Sequence, residues 1–170
     1  TLGAFDELVR AGKVRHIAAA NYSPRRLAEA LSISRQDGLA RYVAAQNHHN
    51  LVHRLDYEGE LAGLCTRENM SFLPYYALAQ GFLTGKYRLG ATVESPRSRG
   101  ASQYLDDRGA HVLAELREVA SKHETTLAAV ALAWLLAQQN VVAPIASART
   151  TEQLKELLPM AMLRLSEAEL

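Results

Sequence analysis

The stretch Leu73-Pro-Tyr-Tyr-Ala-Leu-Ala-Gln-Gly-Phe-Leu-Thr-Gly-Lys-Tyr87 decides how the chain is read. A short apolar run at residues 70–74 ends in two tyrosines. A turn rich in small residues follows, with Gly81 and Gly85, and then the cation Lys86. That order describes a strand carrying an aromatic face to the mouth of a site. After it comes a backbone that can approach a ligand closely, because glycine has no Cβ. Lys86 is placed to meet a phosphate. The plainer alternative is a buried strand followed by a solvated loop, and this segment alone leaves both open.

Outward from that stretch, helix and strand patterns alternate. Residues 5–10 end a helix, with Gly12 suited to its left-handed terminus. An apolar strand is expected at 14–20. Ser23-Pro24 opens a helix to about residue 33, since serine caps orphan N–H groups and proline tolerates the first helical position. Further strands are expected at 42–46, 70–74 and 141–146, with a helix at 57–68 stopped by Asn69. Residues 79–105 show no clear periodicity, and loops of that length serve as functional covers or stay mobile. The tip of this segment is basic, with Lys86, Arg88, Arg97 and Arg99 against Glu94, which fits a flap over a phosphate group as well as a solvated loop. Two helices follow, marked by Val112, Leu113, Leu116, Val119 and Ala120, then by Leu127, Val130, Ala131, Trp134 and Leu135. Both read as one-sided apolar stripes, with Trp134 in the core. Thr150 and Gln153 form a capping box, as do Ser166 and Glu169.

Composition bounds the answer. The 170 residues are 48% hydrophobic and 22% charged, an ordinary globular balance that predicts a single domain over 1–170. Net charge is +1, from 19 Lys+Arg against 18 Asp+Glu, so neither a nucleic-acid nor an anionic-membrane partner is expected. Cys65 is the only cysteine and reads as a small buried residue on a helix. No run is apolar for the length of a bilayer, and the first ten residues lack a signal-peptide pattern, so a cytoplasmic protein is expected. His48 and His49 are adjacent, so on a strand they face opposite ways and do not form a metal site by themselves.

Apolar strands alternating with helices predict a parallel sheet covered by helices. The residues with chemistry fall at the C-terminal ends of the strands: Asn21, Gln46, Tyr75 and the pair Ser147 and Arg149. Binding sites gather at that end of parallel α/β sheets and barrels.

Four segments then resemble one family, the aldo-keto reductases. They are Gly12-Lys-Val-Arg-His-Ile-Ala-Ala-Ala-Asn-Tyr-Ser23, Gln46-Asn-His-His-Asn-Leu51, residues 75–87, and Pro144-Ile-Ala-Ser-Ala-Arg-Thr-Thr-Glu-Gln-Leu154. The resemblance covers the whole chain. It implies an α/β fold matching the C-terminal half of a (β/α)8 TIM barrel, strands five to eight with their helices. A complete barrel takes about 250 residues. The implied activity is hydride transfer between NADPH and an aldehyde or ketone. The family's catalytic Asp, Tyr, Lys and His have no matching positions here, so an inactive isolated chain is expected. Self-association or a complementing N-terminal half is expected too, because unpaired sheet edges invite partners. A non-catalytic nucleotide-binding or auxiliary module of the same fold is the alternative.

The resemblance also assigns roles in holding the cofactor. Asn21 and Gln46 would bond the nicotinamide carboxamide, since side-chain amides offer a donor and an acceptor. Tyr75 would stack on the nicotinamide. Leu78, Ala79, Gly81 and Lys86 would line the pyrophosphate. Ser147 and Arg149 would sit near the 2′-phosphate, where arginine offers a bidentate fork, and Gln153 near the adenine ribose. The chain departs from the family pattern at Ala20, at Tyr76-Ala77, at His48 and His49, where an aromatic and a small polar residue are common, and at Leu157.

Overall fold

Short apolar strands, each followed by a helix, return the chain to the same sheet edge-on and in parallel. The computed structural model describes residues 1–87 and 97–170. Helix α1 (Leu2–Arg10) leads into β1 (Ile17–Ala20), then α2 (Pro24–Gln36), β2 (Tyr42–Gln46), α3 (Glu60–Arg67) and β3 (Ser71–Phe72). The sheet order is β1-β2-β3, parallel throughout. Beyond a 3-10 turn at Ala79–Thr84 come α4 (Ser98–Ser102), α5 (Asp107–Lys122), α6 (Leu127–Ala137) and α7 (Thr151–Leu157).

Local chemistry sets the boundaries. Gly12 and Asn69 take left-handed φ values of 68° and 50° just past α1 and α3. Ser23 Oγ accepts from the Arg26 N–H at 3.3 Å, with Pro24 in the first turn of α2. Thr150 caps α7 through the Gln153 N–H at 3.2 Å. The box there is completed differently from expectation: Gln153 Oε1 accepts from the Arg149 N–H at 2.9 Å, one residue before the cap. The Ser166 and Glu169 box forms in full on a 3-10 turn, Glu167–Glu169.

Three expectations need correction. The fourth strand at 141–146 reduces to a parallel bridge between Val141 and Phe72. Its main chain still follows β3, with Val142 N–H donating to Phe72 O at 3.1 Å and Ile145 N–H to Pro74 O at 2.8 Å. Pro74 and Pro144 have no N–H to extend the ladder. Helix α6 is not one-sided: Ala128 through Leu135 are all buried. It packs against α5, α7 and the 79–84 turn, and its alanines let those neighbours come close. The segment 79–105 is ordered at both described ends, with Ala79, Phe82, Leu83, Tyr87 and Ala101 in the core. The flap tip of residues 88–96 lies outside the described residues.

Leu27, Leu61, Cys65 and Phe72 centre one core, between the sheet and α2 and α3, while Phe82, Leu83, Leu113, Leu116 and Val130 centre a second under α5 and α6. Burying an aliphatic or aromatic side chain of this size contributes about 1.5–3 kcal/mol. Cys65 is fully buried and its thiol is pushed up to about 11 by burial, as a packing residue should be. Trp134 is core as read, with its indole N–H donating to Leu170 O at 3.0 Å. The opposite face of the sheet is open in part: Ala18, Ala20 and Val43 are exposed, while Ala44 is buried. Among the described residues no helix is long and apolar enough to cross a membrane.

Candidate functional site

Two cavities open at the C-terminal ends of the strands, and Tyr75 lines both. The larger, of about 730 Å³, falls within the roughly 300–1,000 Å³ of small-molecule and cofactor sites. Its lining includes Tyr75, Leu78, Gly81, Lys86, Ser147, Arg149 and Gln153. Its charged lining is Lys86, Arg97 and Arg149 against Glu156. The smaller, of about 540 Å³, is lined by Asn21, Asn47, His48 and the acids Asp56, Glu58 and Glu60.

The wall beside Lys86 is built from unusual backbone. Tyr76, Ala79 and Gln80 hold φ values of 51°, 48° and 58°, and Gly81 holds 95°. A run of left-handed residues turns the chain sharply, and only Gly81 does so without a steric cost. A Cβ on Gly81 would stand 3.6 Å from Lys86 Nζ, so its absence keeps the space in front of the ammonium open. Gly100 matters for a different reason. The Gln80 side chain lies where its Cβ would be, which seats α4 against the turn. Across the cavity Arg97 donates to Ser147 Oγ at 3.2 Å.

Tyr75 is held at several points. Its hydroxyl donates to Asn21 Oδ1 at 2.9 Å. Its N–H donates to Asn47 O at 3.1 Å, continuing the β2–β3 pairing past the strands. Asn21 itself sits at φ 58°, and its N–H donates to Gln46 O at 2.9 Å. Its left-handed turn thereby brings the amide side chain over the sheet end to the tyrosine.

The predicted residues therefore divide. Tyr75, Leu78, Gly81, Lys86, Ser147, Arg149 and Gln153 share the larger cavity. Asn21 lines the smaller one and joins the others only through Tyr75. Gln46 is half-buried and lines neither, and Ala79 is fully buried in the core, so its side chain faces away from the site.

Sequence reasoning passed over Gln80, Thr84, Arg97 as a cavity residue, Ile145 and a histidine column. In that column His48 and His53 stack at 3.7 Å with 6° between planes, and His53 Nε2 lies 2.7 Å from Asp56 Oδ2. As expected, His48 and His49 face opposite ways. His49 is fully buried among Tyr57, Phe72 and Trp134. Neither of its ring nitrogens meets hydrogen-bond geometry with any described residue; the His53 main chain comes near enough only to pull its pKa up a little. Burial dominates and lowers His49 to about 4. His48 is also lowered to about 4, by burial first and then by His53.

A parallel α/β protein with its ligand cavity at the strand ends, walled by a cationic turn, is the class this geometry defines. The chain belongs to the aldo/keto reductase family, whose model matches residues 1–170. It is 30% identical over 172 residues to an aldo-keto reductase of Fusarium vanettenii, covering 99% of this chain and 46% of that protein. It is 32% identical over 170 residues to protein tas of Escherichia coli, covering 98% and 49% respectively. Among solved structures, the thermostable aldo-keto reductase Tm1743 with the inhibitor epalrestat superposes with a TM-score of 0.74 at 29% identity, over 99% of this chain and 50% of that one. The resemblance read from the residues is borne out, and the fold is of the TIM-barrel type. The chain spans about half the length of the relatives it matches.

Proposed function

We propose that this chain is the cofactor-holding, C-terminal half of an NADPH-dependent carbonyl reductase, strands five to eight of its barrel. The observation that carries the reading is the larger cavity. It brings Tyr75, Lys86 with the Cβ-free Gly81 beside it, Ser147 and Arg149 around one space. An anion with a flat aromatic end fits that set of groups.

NADPH, when bound, supplies a hydride to a carbonyl carbon. The chain's own residues bind and orient. Lys86 and Arg149 offer charge-assisted contacts to phosphate, roughly twice as strong as neutral ones. Tyr75 offers a flat apolar face, fixed by its hydrogen bond to Asn21. That bond occupies Asn21 Oδ1 and leaves the Nδ2 donors for a ligand carbonyl. The proton donor lies outside the matched motifs, so the chain by itself is expected to bind NADPH without oxidising it when an aldehyde is added.

The same reading accounts for the open part of the sheet face. Ala18, Ala20 and Val43 are exposed, and β1 has one neighbouring strand among the described residues. The occupant in this reading is the other half of a barrel, supported by relatives about twice as long. Without it the chain is expected to self-associate, and sedimentation as a well-folded monomer would count against this part.

The test is fluorescence titration of the chain with NADPH, beside NADH. Saturable binding with NADPH preferred is expected. No binding up to about 1 mM, the upper end of ordinary enzyme affinities, overturns the reading. Aldehyde-dependent NADPH oxidation by the chain would show that a proton donor is present after all.

A further inference from the structure

We propose that His48 is a positioning residue, which fixes the tilt of the Tyr75 ring by stacking on it while itself held against His53. The inference rests on the reading of Tyr75 as the seat of the nicotinamide.

The geometry is a column. The His48 and Tyr75 rings stack with centroids 5.5 Å apart and 21° between planes. His48 also stacks on His53, at 3.7 Å and 6°. His53 is anchored in turn, with Nε2 2.7 Å from Asp56 Oδ2. Asn50 ties the column to the main chain: its Nδ2 lies 3.2 Å from His48 Nε2 and donates to Tyr76 O at 2.8 Å. Its Oδ1 accepts from the N–H groups of Val52 and His53 at 3.0 and 2.9 Å. One fully buried asparagine therefore fixes both histidines and the residue after Tyr75.

The column lies on one side of Tyr75. His48 lines the smaller cavity and not the larger, while Tyr75 lines both. The ring is thus backed from the smaller-cavity side and presented to the other. Its remaining ring contact, with Tyr76, is edge-on at 5.1 Å. The hydroxyl bond to Asn21 holds one point of the ring, and a point leaves rotation about the Cβ–hydroxyl axis free. A stacked plane removes that rotation. Pre-ordering the ring spares the cofactor that ordering cost on binding. Two imidazoles at 3.7 Å repel when both are charged, and burial keeps His48 neutral at ordinary pH, so the stack is not broken by its own charge.

The experiment compares His48→Ala and His48→Phe in the chain as it stands, titrated with NADPH and with adenosine 2′,5′-bisphosphate. The second probe carries the adenosine end alone. Aromatic pairs contribute enough that losing one stack is expected to weaken NADPH about 3- to 10-fold in His48→Ala. His48→Phe keeps the stack without the ring nitrogens and is expected to stay within about 2-fold of the parent. The bisphosphate is expected to bind all three proteins alike. Equal NADPH affinity in His48→Ala and the parent overturns the proposal. So does equal weakening of both probes, which marks general structural damage. So does failure of His48→Phe to restore binding, which would assign the effect to the imidazole nitrogens. A parent chain that binds neither probe overturns the cofactor reading itself, and the role of His48 with it.

Discussion

The two cavities beside Tyr75 share a wall and differ in almost everything else. Among the described residues, one is lined by Lys86, Arg97 and Arg149 against the acid Glu156. The other, among the same residues, carries Asp56, Glu58 and Glu60 and no lysine or arginine. The acids are partly engaged, Asp56 with His53 and Glu58 with Arg54 at 2.7 Å, but the sign of the field still changes across one tyrosine ring. A polyanion is thereby told which way to lie. On the proposed reading its phosphates lie with the cations and its uncharged end at Tyr75. The contrast teaches orientation, which neither cavity specifies alone.

The strongest way to break the contrast is to invert it. Lys86→Glu with Arg149→Glu would replace two attractions by two repulsions. Each charge-assisted contact contributes about 1.5–3 kcal/mol, so the double variant is expected to lose NADPH affinity by roughly 100-fold or more. Both side chains are exposed, so the melting midpoint should stay near the parent's, and a titration beside a melt separates the two effects. Binding within about 3-fold of the parent, well below the scale of one such contact, would mean that the phosphates lie elsewhere.

Arg149→Ala is gentler and more selective. The Arg149 main chain is held by Gln153, so removing the guanidinium leaves the loop in place. NADPH affinity is expected to fall about 10- to 30-fold, and NADH affinity by no more than about 3-fold, because only the former carries the extra phosphate. Equal losses would move Arg149 from the 2′-phosphate to the shared pyrophosphate.

His48 and His49 draw the same boundary at single-residue scale, one toward the smaller cavity and one into the core. Among the described residues no partner meets hydrogen-bond geometry with the His49 ring nitrogens, and a buried unsatisfied group costs about 1–3 kcal/mol. His49→Phe is therefore expected to raise the melting midpoint by about 2–8 °C. The pH dependence follows from the lowered pKa. Folded His49 binds its proton near 4, the unfolded residue near 6.5. Between those values the unfolded state takes up more protons, so stability falls as pH drops from about 6.5 toward 4. His48 adds a slope of the same sign. Glu58 raises and Arg54 and His53 lower the His49 value, so substitutions there shift the window. The gap between melts at pH 7 and pH 5 is expected to narrow in His49→Phe, to the share that His48 contributes. An unchanged gap would mean that His49 is not among the groups responsible.

How much of this was legible follows the reach of each signal. Strand β2 was read at its own bounds because residues 42–46 carry their apolar pattern locally. Ser23-Pro24 and Thr150 declared their helix starts because a cap is a three-residue affair. The strand-end rule grouped Asn21, Gln46, Tyr75, Ser147 and Arg149 before any coordinates, and Tyr75, Ser147 and Arg149 share the larger cavity while Asn21 and Gln46 do not line it. Failures came where distant parts decide. α6 offers an acceptable one-sided stripe, and only its neighbours on every side make the rest of its surface core. The segment at 141–146 looks like a strand until two prolines meet across the ladder. The histidine column was invisible because His48 and His53 are five apart, a spacing with no helical or strand meaning. Asn50 makes the turn that closes it, and a turn-forming asparagine inside a histidine-rich stretch was the available sign.

The smallest predicted effect is the sharpest check on orientation. Glu60 opens α3, is exposed, and lines the acidic cavity. If the phosphates lie on the cationic side, Glu60 meets them only across Tyr75 and solvent, and charges further apart than about 8 Å are largely screened at 0.15 M salt. Glu60→Gln is then expected to change NADPH affinity by less than about 2-fold, a shift that added salt erases. Its cost falls on the helix instead. Losing a negative charge at a helix N-terminus removes about 0.3–1 kcal/mol, read as a small drop in melting midpoint. A tightening of NADPH well beyond 2-fold would put the phosphates beside the acids, and the two cavities would have to exchange roles.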